Sequence, residues 1–322
     1  MRAVVCREWG PVDQLEVEER PSPPLGPDDV RVEVSACGVN YVEGLMVQGL
    51  YQVKIPAPFT PGMELVGRIT ETGASVTDRQ VGERVFVPVG IGGYVSEAVV
   101  PARRCLLLPE GLTDGQAATF MQSYLTGWFA LTHRVTTTPG QRLLVLGAGG
   151  GVGLAAVDIG TALGLEVYAA ASNAEKLELA RSRGAVALID SSTEDVKARA
   201  RELSGGGVDL VYDPVGGELG EACLRSLGDE GTYLVIGFVA GIPMLPANQI
   251  LLRNRRVVGV EWGGWAGRHP VENEALVAEV LGLIGEGRLH PVEPTTYPLD
   301  HAGRALADLA QRKVAGKVAL VP

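Results

Sequence analysis

The sequence predicts an α/β domain built on a six-stranded parallel sheet, joined to a smaller, mainly β module. After about residue 120 six short apolar runs, "RLLVLG", "EVYAAAS", "AVALID", "VDLVYD", "TYLVIG" and "RVVGVEW", alternate with helical-looking segments. Continuous apolar strands separated by helices are what a parallel sheet covered on both faces requires. Before about residue 115 the rhythm is different: "RVEVSACGV", "ELVGRITETG", "ERVFVPVG" and "YVSEAVVPA" are short strands divided by Pro and Gly. With 322 residues the chain is also long enough for two cores.

Along the first module the Pro-rich stretch Arg20 to Asp29 reads as a surface loop, because strands resume on both sides. The last sixty or so residues hold an amphipathic helix from about Glu272 to Glu286, then "TTYPLD", a second helix and a final strand "GKVALV". They do not extend the alternation, so they are expected to return to the first module. The expected division is residues 1–120 with 262–322 as the β module and 121–261 as the α/β domain. A formal charge of −10, from 38 acidic and 28 basic residues, argues against nucleic acid or anionic membrane surfaces as partners. Cys6, Cys37, Cys105 and Cys223 are scattered without metal-knuckle or dithiol spacing, which suits a reducing, cytoplasmic setting. The start "MRAVVCREWG" lacks the features of a signal peptide, and the longest uncharged run, Leu143 to Val157, falls short of the roughly 20 residues a membrane helix needs.

"RLLVLGAGGGVGLAAVDIGTALG" reads as strand, glycine-rich turn and helix, with Ala148, Gly150 and Gly153 at the positions of a dinucleotide turn and Gly151 and Val152 between them. Small residues let backbone N–H groups approach a pyrophosphate, and the helix start favours its charge. This is the signature of a Rossmann domain. Where an NAD site usually places an acid for the ribose 2′-hydroxyl, this chain has Ala170, Ala171 and Ser172. Ser172 and Lys176 would instead receive a 2′-phosphate, so the expected cofactor is NADPH. "SNAE", Ser172 to Glu175, is also a capping box that would start a helix. Gly237 and Phe238, beyond the strand "TYLVIG", are candidates for the nicotinamide wall. Asp213 in "VYDPVGG" reads as a turn former.

Taken in order, "CGVNYVEGL", "PGMELVG", "VGERV", "GGYVSEAVVPA", "GAGGGVGLAA" and "VYDPVGG" resemble the medium-chain dehydrogenase/reductase superfamily, and more closely its zinc-free NADPH:quinone oxidoreductases. The resemblance implies a GroES-like fold for the β module and a homodimer formed through an edge of the cofactor sheet. The catalytic zinc ligands of the family's alcohol dehydrogenases fall here at Asn40, Met63 and Gln122, none of them a good zinc ligand. Zinc-independent hydride transfer to quinones or α,β-unsaturated carbonyls is the implied activity, since such acceptors stabilise their own charge without a Lewis acid. The resemblance places Asn40 and Tyr51 at the substrate, with Tyr41 and Gln48 behind them. It places Thr126, with Tyr124 and Gly127, at the nicotinamide, and Lys317 at the cofactor. Ser191 stands where many relatives have a tyrosine that helps hold the adenosine phosphate. Glu64 matches a glutamate beside the zinc ligand in relatives, where it would order the cleft or pair with a cation. Two other readings are an enoyl-thioester reductase, which needs a basic patch such as Arg253, Arg255 and Arg256, and a non-catalytic NADPH-binding or sensing protein.

Overall fold

The computed structural model describes residues 1–322, which divide into two compact units: Met1–Met121 with Pro291–Pro322, and Gln122–His290. In the first unit the chain forms β1 (Arg2–Val5), β2 (Glu16–Glu19), β3 (Asp29–Val39), helix α1 (Tyr41–Val47), β4 (Glu64–Thr72), β5 (Arg84–Pro88), β6 (Glu97–Pro101), β7 (Leu106–Leu107) and α2 (Asp114–Thr119). Strand β3 is the hub, pairing antiparallel with both β4 and β6. Its alternating Val30, Val32 and Val34 join Leu65 and Ile69 of β4 and Val85 and Val87 of β5 in one buried core, as period-two patterning demands.

The second unit continues through α3 (Met121–Trp128), β8 (Arg142–Leu146), α4 (Gly151–Ala162), β9 (Glu166–Ala171), α5 (Ala174–Ser182), β10 (Ala187–Asp190), α6 (Val196–Leu203), β11 (Val208–Asp213), α7 (Gly217–Cys223), β12 (Leu227–Val235), α8 (Ala247–Leu251), β13 (Arg256–Gly259), α9 (Trp262–Arg268) and α10 (Pro270–Gly285). The six strands pair in parallel in the order β10-β9-β8-β11-β12-β13, the expected Rossmann sheet. From β8 the chain winds first to β9 and β10, then crosses to β11. Such a reversal opens a crevice at the carboxyl ends of the two central strands. No helix is long and apolar enough to cross a membrane.

The return to the first unit comes later than expected, at Pro291 instead of Trp262. Residues 262–290 stay with the second unit because their apolar and polar groups are matched there. Trp128 Nε1 donates to Glu279 of α10 at 3.0 Å. The Trp265 ring of α9 lies 4.7 Å from that of Phe129, and Leu276, Val280 and Leu283 of α10 are buried. Only β14 (Thr295–Pro298), α11 (Ala302–Ala310) and β15 (Val318–Val321) rejoin the first unit, extending its sheet to the order β14-β15-β3-β4-β5-β7.

Candidate functional site

The turn between β8 and α4 depends on glycine at places where any side chain would collide with backbone or with a neighbour. A Cβ on Gly153 would sit 2.3 Å from the Gly147 carbonyl oxygen, and one on Gly149 would sit 2.3 Å from Cβ of Lys176. Gly150 is the N-cap of α4, and no side chain caps the helix. The first-turn amides of Gly151, Val152 and Gly153 therefore point from a helix start whose donors no side chain satisfies, an arrangement suited to an anion. The N–H groups of Ala148 and Gly150 are already engaged, donating to Ala170 and Gly147 at 2.9 and 3.0 Å. These two residues shape the turn; the donors come after them. A dinucleotide fits this cradle as the sequence led us to expect.

At the carboxyl end of β9, Ala171 and Ser172 offer no carboxylate, and the neighbouring acid on β10, Asp190, is turned into its own loop. Its Oδ1 accepts from the Ser192 amide and hydroxyl at 2.9 and 2.6 Å, and these bonds hold its carboxyl below the usual range. The cap of α5 is one residue later than expected: Asn173, not Ser172, accepts from the Lys176 amide at 2.9 Å. That leaves the Ser172 hydroxyl exposed and uninvolved in capping. Lys176 is buried, with its stem laid over Gly149.

The loops after β11 and β12 are zipped together. Ala240 N–H donates to Val215, and Gly217 N–H donates to Gly241, both at 2.7 Å. Asp213 is a turn former, as read: its Oδ1 accepts from the Val215 and Gly216 amides at 2.7 and 2.8 Å, and its other oxygen accepts from the Tyr233 hydroxyl. Gly237 and Phe238 lead out of β12, with the Phe238 ring 44% exposed. Thr126 lies half-buried on α3. Tyr124, its neighbour in the motif, is committed elsewhere: its hydroxyl donates to buried Asp158 at 2.8 Å. Asp158 also accepts from the His290 amide at 2.6 Å, a partner the sequence did not reveal.

The first unit contains a second polar centre, buried where four elements meet. Asn40 links β3 to α1, Glu43 lies in the first turn of α1, Glu64 opens β4, and Lys317 immediately precedes β15. All four are buried. The Asn40 amide donates from Nδ2 to Glu64 Oε1 at 2.9 Å, and its Oδ1 accepts from Lys317 Nζ at 2.6 Å. Glu43 accepts from the backbone N–H groups of Asn40 and Met63 at 2.5 and 3.1 Å. Gly38 makes room for the cluster, because a Cβ there would meet the Ala118 carbonyl oxygen at 2.2 Å and Glu64 Oε1 at 2.6 Å.

Burial, followed by the charge of Glu64, pushes the Glu43 carboxyl from an ordinary 4.5 up to about 8, against the opposing pull of its N–H donors and Lys317. Near neutrality Glu43 holds a proton, and the Asn40 amide lies between Glu64 and Lys317. Burial lowers the Lys317 pKa, while Glu64 and then Glu43 work against that. Tyr94 stands beside Glu43; burial and then the Glu43 charge push its phenol well above the ordinary range. Lys317 is thus part of a buried network. The sequence signal for Glu43 was present in "NYVE", an Asn followed three residues later by Glu at a helix start. Tyr51 is half-buried in the turn after α1, its amide on the Leu45 carbonyl at 3.2 Å, and is not joined to this cluster.

Two family models match: the alcohol dehydrogenase GroES-like domain over residues 26–110 and the zinc-binding dehydrogenase domain over residues 151–279. The "Quinone oxidoreductase-like protein 2" of Bos taurus is 38% identical, over 99% of this chain and 92% of the relative. The chain belongs to the quinone oxidoreductase-like proteins of the medium-chain dehydrogenase/reductase superfamily. Among solved structures, the Thermus thermophilus quinone oxidoreductase is 33% identical with a TM-score of 0.83, covering 100% of both chains. The Escherichia coli quinone oxidoreductase complexed with NADPH is 27% identical with a TM-score of 0.88, also over 100% of both. The zinc-ligand positions read from the resemblance lie outside the residues that the zinc-binding model matches. Asn40 and Met63 offer an amide and a thioether, and Gln122 an amide, where zinc requires thiolate, imidazole or carboxylate. No group of three or more His, Cys, Asp or Glu side chains is arranged to hold a metal ion.

The Glu43 proton can be observed directly. Infrared spectra of the protein at pH 7 should contain a buried protonated-carboxyl band that disappears as pH rises through about 8 and is missing from Glu43→Ala. Because the folded pKa is raised, the contribution of Glu43 to stability is complete below about 4.5 and is lost as pH rises through about 8. A Glu43 already ionised at pH 7 would contradict the assignment.

Proposed function

We propose that this protein is an NADPH-dependent reductase that transfers hydride to quinones or α,β-unsaturated carbonyls without a metal. The observation that carries the reading is the Asn40 position. Where the family's alcohol dehydrogenases hold a zinc ligand, this chain buries an amide between Glu64 and Lys317. Without a Lewis acid at that point, an ordinary ketone has nothing to stabilise its alkoxide. A quinone or conjugated carbonyl, by contrast, spreads the arriving charge over its own π-system.

In this reading bound NADPH supplies the hydride, and the residues of the chain bind, orient and exclude water. The open amides of Gly151, Val152 and Gly153 receive the pyrophosphate. Ala148 and Gly150 shape the turn beneath it, and Ser172 and Lys176 hold the 2′-phosphate. Thr126, Gly237 and Phe238 line the nicotinamide. Asn40 donates to the acceptor's carbonyl oxygen, and the Tyr51 ring gives a flat substrate a stacking face. The anion left by hydride transfer takes its proton from a hydroxyl group or, on release from the site, from water. The NADPH complex of the Escherichia coli relative supports the choice of cofactor. Positioning in a dry site would account for much of the acceleration.

The enoyl-thioester alternative is weakened by the arginines it would need. Arg255 is buried and donates to the carbonyls of Leu227, Gly228 and Gln249, and Arg253 pairs with Asp229 at 2.8 Å. Of Arg253, Arg255 and Arg256, only Arg256 is exposed without an ion pair. The four cysteines are free thiols in buried positions, which supports a reducing, cytoplasmic setting. The division of labour proposed here gives cofactor binding to the second unit and acceptor binding to the first. A homodimer through β13 is supported by that strand's position at the sheet edge, with Val257 38% exposed, and by the exposed Ile242, Met244, Leu251 and Leu252 in the second unit.

Three experiments test the proposal. Purified without added metal and assayed with a chelator, the protein should oxidise NADPH with quinones and enones and not with simple ketones; turnover of simple alcohols that depends on stoichiometric zinc would contradict it. Lys176→Ala should weaken NADPH binding about tenfold or more while changing NADH binding little, and equal losses would remove the 2′-phosphate role. Sedimentation should give a dimer that Val257→Arg dissociates; a wild-type monomer would rule out the edge-strand pairing.

A further inference from the structure

The register of the first unit's sheet brings Lys317 to Asn40 across 277 residues of sequence. Strand β15 pairs antiparallel with β3 as Val318 with Val39 and Ala319 with Gly38. One step further along the same register, Lys317 stands opposite Asn40, with Nζ 2.6 Å from Oδ1. At the other end of the amide, Nδ2 donates to Glu64 Oε1 at 2.9 Å.

A primary amide has an acceptor at one end and two N–H donors at the other. Here a cation faces the acceptor and an anion faces the donors. Flipping the amide would turn its NH₂ towards an ammonium and its oxygen towards a carboxylate, exchanging two charge-assisted hydrogen bonds for two repulsions. Asn40 is only 6% exposed, so water does little to soften that difference. One orientation is fixed. Nδ2 carries two N–H bonds, and the bond to Glu64 Oε1 uses one of them.

We infer that Lys317 is a positioning residue: with Glu64 it locks the Asn40 amide so that the second N–H is held as a ready donor for the carbonyl oxygen of the acceptor. The inference rests on the proposed reduction of conjugated carbonyls and adds to it the device that sets the donor. A donor fixed before reaction, aimed where negative charge grows as hydride arrives, needs no reorganisation at that moment. It also changes the role of Lys317 implied by the family resemblance, from a contact of the cofactor to a support of the acceptor site.

The test uses the full-length protein, 1,4-benzoquinone as acceptor and fluorescence titration for NADPH affinity. Lys317→Met should lower kcat/KM for benzoquinone about 100-fold while leaving the NADPH dissociation constant within about twofold. Asn40→Leu, which nearly keeps the volume and removes the donor, should lose a similar amount. The double variant should lose little more than either single one, because Lys317 acts through Asn40. Lys317→Gln keeps a donor towards Oδ1; it should retain more activity than Lys317→Met and serves if that variant does not fold. An NADPH affinity that falls more than about tenfold in Lys317→Met with kcat unchanged, or additive losses in the double variant, would overturn the inference. A readout free of turnover is the side-chain amide spectrum of ¹⁵N-asparagine-labelled protein, in which five asparagines give few signals and Asn40→Leu identifies the relevant pair. Lys317→Met should move the Asn40 pair, and unmoved signals would overturn the lock. Wild-type protein inert to benzoquinone would contradict the proposed function itself, leaving the lock to be decided by these spectra.

Discussion

Two carboxyl groups, an amide and an ammonium are buried together in the first unit, and much of its local architecture follows from satisfying them. A buried polar group without a partner costs stability, and a buried unpaired charge costs far more. Each element bordering the cluster therefore ends or begins where it can contribute a partner. β3 stops at Val39, so that Asn40 can turn its amide inward; β4 starts with Glu64 beneath it; β15 starts directly after Lys317. Gly38 has no side chain because Glu64 and the Ala118 carbonyl occupy the space one would need. The proton held by Glu43 removes one charge from the cluster, which a low-dielectric site favours.

An apolar cluster of similar volume would often be as stable or more so, so buried ion pairs are weak evidence for stability. What this cluster provides is direction. An amide in an apolar core can be placed either way round, whereas one held between an ammonium and a carboxylate cannot. The second unit shows the complementary economy, with the glycine turn removing side chains so that backbone amides are presented from the start of α4. One unit presents donors through its backbone and the other through an oriented side chain, and the proposed chemistry draws on both.

Much of this was readable in the sequence because it is local. The β8–turn–α4 unit is written in consecutive residues, the alternating apolar runs specify a parallel sheet, and the period-two strands of the first unit are equally continuous. What escaped reading was non-local or depended on a single residue of register. Lys317 meets Asn40 only through the pairing of β15 with β3, and a lysine next to a strand ordinarily suggests solvent. Residues 262–290 remain with the second unit because Trp128 and Phe129 meet Glu279 and Trp265, contacts that no composition shift announces. The cap of α5 falls on Asn173 and not on Ser172 because both residue types cap helices well, and only backbone geometry chooses between them. His290 on Asp158 was hidden for the same reason as Lys317: 132 residues separate the partners.

The central claim is direct hydride transfer from NADPH to an acceptor that needs no metal. It is tested most directly by single-turnover stopped-flow in the presence of a chelator, comparing NADPH with cofactor deuterated at the transferring position, with 1,4-benzoquinone as acceptor. The account predicts one hydroquinone formed per cofactor oxidised, with the step slowed by deuterium and unchanged by added zinc. Oxidation that is insensitive to the label at the chemical step, or that appears only when zinc is restored, would contradict it.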